Sequence, residues 1–407
     1  MGTICNDGYN IVGVFSVFLC LSISGNGRLI KTTANTSTAD AMTLTNSIGL
    51  TPPMGWSSSG HSCNTNEDLV IQIANTLVFT GLANLGYKYI ILDDCWGQPT
   101  RNSQHKLVEN PSKFPSGMKV LANYVHALGL KLGIRSSAGN STCSGTMPGS
   151  LGYEQIDANT FASWGVDYLK YDNCFNNGIS PRAQYKTMSD ALKQTGRPIF
   201  YSISEWGDTE PALWAREFGN SWRTTNDVFD QWDRMLCVVD MNAVYADYAK
   251  PGAWNDPDLL QVGNGGMKYD QYKGQFSLWA ISKAPLFIGC DMLNLNFDIL
   301  DVLTNAEVIA VNQDPLGIQA KNVRNYGQRD VWAGPLTQNR TVVVLVNKKK
   351  GDMVTTVYWS DIGIPNNKIV FARDLWLHQD LNGIFTGSLT VTVPSQSFRM
   401  FIITPLF

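Results

Sequence analysis

YKYIILDD, at residues 87–94, carries six β-type residues straight into two carboxylates, Asp93 and Asp94. The same arrangement recurs down the chain. Residues 130–134 form an apolar run followed by Arg135-Ser136-Ser137, residues 166–171 lead into Asp172, and residues 198–203 lead towards Glu205. Helical patterns fill the intervals, at residues 66–85, 115–128, 154–164 and 181–194. A strand, a helix and another strand in succession imply parallel pairing through right-handed crossovers. So many uninterrupted units predict an α/β fold, a closed (β/α)8 TIM barrel over residues 48–316, rather than an open sheet.

Past residue 316 the pattern changes. Runs at 342–346, 353–359, 368–375, 388–393 and 398–404 are short and β-type, separated by turn residues such as Gly351, Pro365 and Gly387. With no long helical segment between them, residues 317–407 read as a C-terminal antiparallel β-sandwich. The 407-residue length suits two such units, since one barrel absorbs about 250 residues. With 44% hydrophobic and 16% charged residues the chain can bury a large core, which excludes global disorder. Lys+Arg of 31 against Asp+Glu of 34 leaves a net charge of −3. That balance speaks against nucleic acid or an anionic membrane as the main partner. His61, His105, His126 and His378 are scattered, and no His/Cys spacing suits a metal, so no metal and no cofactor are expected.

Residues 11–24 (IVGVFSVFLCLSIS) are apolar but shorter than the roughly 20 residues that span a bilayer. Residues 1–24 therefore read as a signal peptide, and the Thr-, Ser- and Asn-rich residues 25–47 as a propeptide or linker. Cys63, Cys95, Cys143, Cys174, Cys237 and Cys290 follow, an even number that permits disulfides in an oxidising compartment. Sequons at Asn35, Asn140 and Asn339 agree with secretion. The expected destination is the apoplast, cell wall or vacuole, with no membrane attachment after signal cleavage.

The chemistry is written at the strand ends. One strand-end Asp is an ordinary helix cap. Asp93, Asp94, Asp172, Glu205, Asp227, Asp256 and Asp258 come from separate βα units, and barrel enzymes build their sites on that face. Many carboxylates, without a Ser-His or Cys-His pair, point to glycoside hydrolysis, in which two carboxyl groups flank the anomeric carbon. Spacing alone does not select the pair.

TPPMGW at residues 51–56, LDDCW at 92–96, YLKYDNC at 168–174, GNSWRTTND at 219–227 and WNDPDLL at 254–260 resemble plant α-galactosidases of glycoside hydrolase family 27. FPSGMKVLANYVHALGLKLGI from Phe114, VGNGG from Val262, KAPLFIGCD from Lys283 and VIAVNQDPLG from Val308 extend the resemblance from about residue 50 to the end. It implies a retaining, metal-free glycosidase acting on galactosylated oligosaccharides, polysaccharides or other glycosides. Asp172 would be the nucleophile and Asp227 the general acid/base, the latter with a pKa raised by burial or by the Asp172 charge. Lys170 would favour the ionised nucleophile. Asp93, Asp94, Lys170, Glu205, Trp206, Arg223, Asp258 and Trp56 would bind substrate. The resemblance also implies disulfides Cys63–Cys95 and Cys143–Cys174, leaving Cys237 and Cys290 either paired together or, as favoured here, as buried thiols.

The departures from the family fall around the sugar. Family members read Gly-Trp-Asn-Ser-Trp-Asn where this chain has GWSSSG at residues 55–60, so Ser59 stands where a second Trp would stack on the ring. Losing that platform forfeits about 0.5–1.5 kcal/mol beyond buried area. Arg135 replaces a family Tyr, putting a cation near Asp93, Asp94 and Asp172. It would pair with one of them and block the pocket, or recruit a different substrate. Ser204 replaces a Cys, a milder change. The alternatives are a relative acting on another glycoside, such as a β-L-arabinopyranoside, or a non-hydrolytic or ligand-binding descendant.

Overall fold

The computed structural model describes residues 48–406; the predicted signal and linker, with Cys5, Cys20 and the Asn35 sequon, lie outside the described residues. Eight parallel strands form the first sheet: β1 (Met54–Ser57), β2 (Tyr87–Leu92), β3 (Lys131–Ser137), β4 (Tyr168–Asp172), β5 (Phe200–Ser204), β6 (Ser221–Arg223), β7 (Trp254–Asp256) and β8 (Leu286–Ile288). They are ordered β7-β6-β5-β4-β3-β2-β1-β8. A parallel bridge from Leu260, just past β7, to Ile288 joins the two ends. The sheet is therefore a closed barrel. Outside it run α1 (Glu67–Phe79), α2 (Leu82–Leu85), α3 (Met118–Ala127), α4 (Glu154–Trp164), α5 (Pro181–Gln194), α6 (Trp232–Ala243), α7 (Tyr269–Ile281), α8 (Phe297–Thr304) and α9 (Ala306–Asn312).

Alternation along the strands decides what the barrel encloses. On β2, Ile90 and Leu92 join the core beneath the helices, whereas Tyr89 and Ile91 pack inside with Tyr168, Phe200, Trp254 and Phe287. Tyr168 and Phe200 stack with centroids 4.9 Å apart. Glycine makes room for this plug: a Cβ on Gly133 would lie 2.4 Å from Ile91 Cδ1. The plug fills the amino-terminal half of the barrel. Further along the same inward rows, two positions on, stand Asp93 beyond Ile91, Arg135 beyond Gly133, Lys170 beyond Tyr168 and Asp256 beyond Trp254, with Asp172 two beyond Lys170. They emerge together at the carboxyl-terminal mouth.

One local expectation needs correction, and four strands had no reading in the sequence. The single helix read over residues 66–85 is two, α1 and α2, because Gly81 adopts φ 80° between them. Strands β1, β6, β7 and β8 are three or four residues long, too short to display a period.

The C-terminal unit is antiparallel: β9 (Lys321–Asn325), β10 (Arg329–Leu336), β11 (Arg340–Asn347), β12 (Met353–Tyr358), β13 (Ile369–Asp374), β14 (Gln379–Asp380), β15 (Phe385–Thr386), β16 (Ser388–Val393) and β17 (Ser397–Pro405). One sheet runs β14-β13-β17-β11-β10-β9 with β15 on β13, and the other pairs β12 with β16. Val331, Val343, Leu345, Phe401 and Ile403 from the first meet Val357, Leu389 and Val393 from the second. This is the expected sandwich. Its β9 and β10 escape pattern reading because KNVRN is largely polar and β10 contains Gly334-Pro335. Trp376 anchors the unit to the barrel, donating its indole N–H to Ser277 Oγ of α7 at 2.9 Å.

Candidate active site

Asp172, the last residue of β4, is 1% exposed. The register sets Arg135 beside Lys170 and Ser137 beside Asp172, so the Arg135 side chain rises into the mouth next to the carboxylate. Its Nη2 donates to Asp172 Oδ1 at 3.2 Å, and its Nε forms an ion pair with Asp172 Oδ2. Its Nη1 donates to Asp93 Oδ1. Ser58 Oγ accepts the Asp93 backbone N–H at 2.9 Å, which positions that residue, and Asp93 Oδ2 is buried without a hydrogen-bond partner. Burial pushes the Asp93 carboxyl up, but the Arg135 and Lys170 charges outweigh it and hold the group below its ordinary value. Arg135 thus pairs with two of the three acids it was expected to approach. Asp94 turns to other partners, its oxygens accepting the backbone N–H groups of Cys95 at 2.8 Å and Ser144 at 2.9 Å.

Asp227 lies in the loop after β6, with 68% of its side chain exposed. Buried Arg223 holds that loop: Nη2 donates to Asp227 Oδ1 at 3.0 Å, and Nη1 pairs with Asp258 Oδ1 at 3.1 Å. Asp258 Oδ2 accepts the Val228 N–H at 3.0 Å. Partial burial pushes the Asp227 carboxyl up, but Arg223, then Lys170 and Arg135, hold it below its ordinary value. This reverses the sequence expectation of a raised acid. The main cause is Arg223, which both faces Asp227 as a cation and donates to its carboxylate, with the Lys170 and Arg135 charges adding to it.

Glu205 follows β5 and is wholly buried. Its Oε2 accepts from Thr209, from the backbone N–H at 2.9 Å and from the hydroxyl at 2.7 Å, while Oε1 is unpartnered. Burial pushes its pKa up to about 7. A raised carboxyl stabilises the fold fully below its ordinary pKa, and that contribution is lost as pH rises through the folded value. Wild-type stability should therefore fall between about pH 5 and pH 8, and Glu205→Gln should be spared on the order of 2–3 kcal/mol of that loss. Urea unfolding of both proteins across that range checks this; identical pH slopes would contradict it.

Other expected residues divide. Trp56 is fully buried in the core and donates to the Cys290 carbonyl at 3.1 Å, so it lies away from the mouth. Gly55 and Ser57, not Trp56, occupy the inward row of β1. Ser59 is partly exposed, its N–H donating to Ser57 Oγ at 3.4 Å. Trp206 is partly exposed and held at φ 58°. Cys95 and Asp258, at φ 70° and 85°, share that left-handed strain. Such strain persists where surrounding contacts enforce it, commonly at functional sites. Ser58 and Thr209, which fix Asp93 and Glu205, carried no recognisable sequence signal.

Two disulfides brace the mouth. Cys63–Cys95 ties the loop after β1 to the end of β2, and Cys143–Cys174 ties the loop after β3 to the end of β4. In the chain-entropy account each is worth about 3–4 kcal/mol. Cys290 is a buried free thiol, but Cys237 is disulfide-bonded, which corrects the expectation of a thiol there.

Comparison with known proteins places this geometry. Residues 51–314 match the family described as Alpha galactosidase A, and residues 326–403 match the Alpha galactosidase C-terminal beta sandwich domain. The α-galactosidase of Cyamopsis tetragonoloba is 49% identical, over 98% of this chain and 98% of that protein. Alpha-galactosidase 2 of Arabidopsis thaliana is 52% identical, over 89% of this chain and 92% of that protein. Among solved structures, α-galactosidase I of Mortierella vinacea superposes with a TM-score of 0.85 at 38% identity, over 88% of this chain and 98% of that one. With its closed barrel, acid-lined mouth and trailing sandwich, the chain belongs to the α-galactosidase family of glycoside hydrolases.

Proposed function

We propose that this protein hydrolyses terminal α-D-galactosyl groups with net retention, Asp172 acting as nucleophile and Asp227 as general acid/base. The observation that carries the reading is that both motif acids meet one set of cations at the barrel mouth: Arg135 on Asp172, and Arg223, Lys170 and Arg135 around Asp227. Asp172 attacks the anomeric carbon as the glycosidic bond breaks, and Asp227 gives its proton to the departing oxygen. Asp227 then takes a proton from water, whose oxygen releases galactose from the Asp172 ester. Asp93, Lys170 and the Arg223–Asp258 pair are placed to hold sugar hydroxyls, with Trp206, Asp94 and Ser59 at the edge of the mouth. Two disulfides and exposed sequons at Asn140 and Asn339 support secretion to the apoplast, cell wall or vacuole.

The test is hydrolysis of p-nitrophenyl α-galactoside beside the β-L-arabinopyranoside, with the anomer of first-formed sugar read by NMR. The α-galactoside should turn over faster and release α-galactose. Because Asp227 rests ionised, kcat/KM should be greatest at acid pH and fall as pH rises. Preferential cleavage of the arabinopyranoside, or β-galactose as first product, would overturn the assignment.

A further inference from the structure

We propose that Arg135 is a built-in brake on this active site: its guanidinium occupies the nucleophile, and a sugar enters only by displacing it from Asp93 and Asp172. The inference rests on Asp172 being the nucleophile. Three observations carry it. Both Asp172 oxygens face Arg135, one through Nη2 and one through Nε. The third guanidinium nitrogen, Nη1, is spent on Asp93, which stands beside the nucleophile and is buried with its other oxygen unpartnered. The Arg135 side chain is only 17% exposed, so the ion pairs are well shielded from water.

The chemical consequences point one way. A carboxylate engaged by a guanidinium is a poorer nucleophile than a free one. The transition state of glycoside hydrolysis carries positive charge at the anomeric centre. A fixed cation touching Asp172 repels that charge where the other residues should stabilise it. Lys170 is the neighbour of Arg135 in register, on the same strand as Asp172. Displacement therefore frees both oxygens of the nucleophile from the guanidinium, the state that favours reaction. Ser59 compounds the effect, since no aromatic platform at that position helps a sugar compete with the guanidinium.

Arg135→Tyr and Arg135→Ala test this in the full-length protein. Both variants should raise kcat/KM on p-nitrophenyl α-galactoside at least about tenfold. Binding of the iminosugar analogue of galactose, whose basic ring nitrogen competes with Arg135 for Asp172, should tighten at least about tenfold in both variants by calorimetry. Folded variants that are no faster, and that bind the iminosugar as wild type does, overturn the brake, whatever the substrate. Variants that gain iminosugar affinity while neither they nor wild type cleave the galactoside would uphold the brake and sink the α-galactosidase assignment. Arg135→Tyr guards against a folding defect in the alanine variant.

Discussion

Asp172→Asn is expected to remove about four orders of magnitude or more of kcat on any α-galactoside. The amide matches the carboxylate in shape but cannot form the glycosyl ester, so the covalent route is closed. The substitution also takes from Arg135 one of its two anions, leaving a shielded guanidinium paired only with Asp93. Removing one partner of such a pair is destabilising. Activity and stability must therefore be separated. In Asp172→Asn combined with Arg135→Tyr the stranded cation is gone, so the melting temperature should recover while kcat does not. If the double variant recovered both, Asp172 would be a structural ion-pair partner and the nucleophile would have to be sought elsewhere.

Asp227→Asn has the second largest expected effect, and its signature is different. On glycosides with poor leaving groups kcat/KM should drop about 10²–10⁴-fold, the usual worth of a positioned acid. On aryl galactosides whose leaving group departs without a proton the loss should be much smaller. The fall in kcat/KM with rising pH should vanish, because the group that must carry the proton is gone. Wild-type Asp227 sits on Arg223 at 3.0 Å and is held below its ordinary pKa, so that fall should begin at lower pH than an unperturbed carboxyl would give. Equal losses on good and poor leaving groups would assign Asp227 to binding rather than to proton transfer. Since Asp227 is largely exposed and touches Arg223 on one side only, the change should leave unfolding almost unaltered.

Much of the architecture was legible because strand and helix periods are local. Strand β2 and helices α4 and α5 have the bounds their patterns suggest. What failed was local too: Gly81 inside an otherwise helical run, strands of three residues, and the polar β9. The site was only partly legible. Strand-end acids identified the reactive face, and the family motifs nominated Asp172 and Asp227. Trp56 was nominated by another of those motifs, TPPMGW, yet alternation along β1 sends it to the core and leaves Gly55 and Ser57 to face inward. Glu205 stands at a strand end as the pattern suggested, but its hydrogen bonds to Thr209 carried no sequence signal.

The sequence by itself determined the strand–helix alternation, the change to a β-sandwich, and the placing of carboxylates where the strands end. Those are properties of hydrophobic spacing, which acts between near neighbours in the chain. Only the tertiary structure decided which charges neutralise one another. Closing the barrel lays β2, β3 and β4 side by side, so Arg135 reaches Asp93, 42 positions away, and Asp172, 37 positions away. From such contacts follow an Asp227 held below its ordinary pKa, chiefly by Arg223, and an Asp172 covered by Arg135. Ion-pair energies depend on distance and on the exclusion of water, and neither is set until the strands have met.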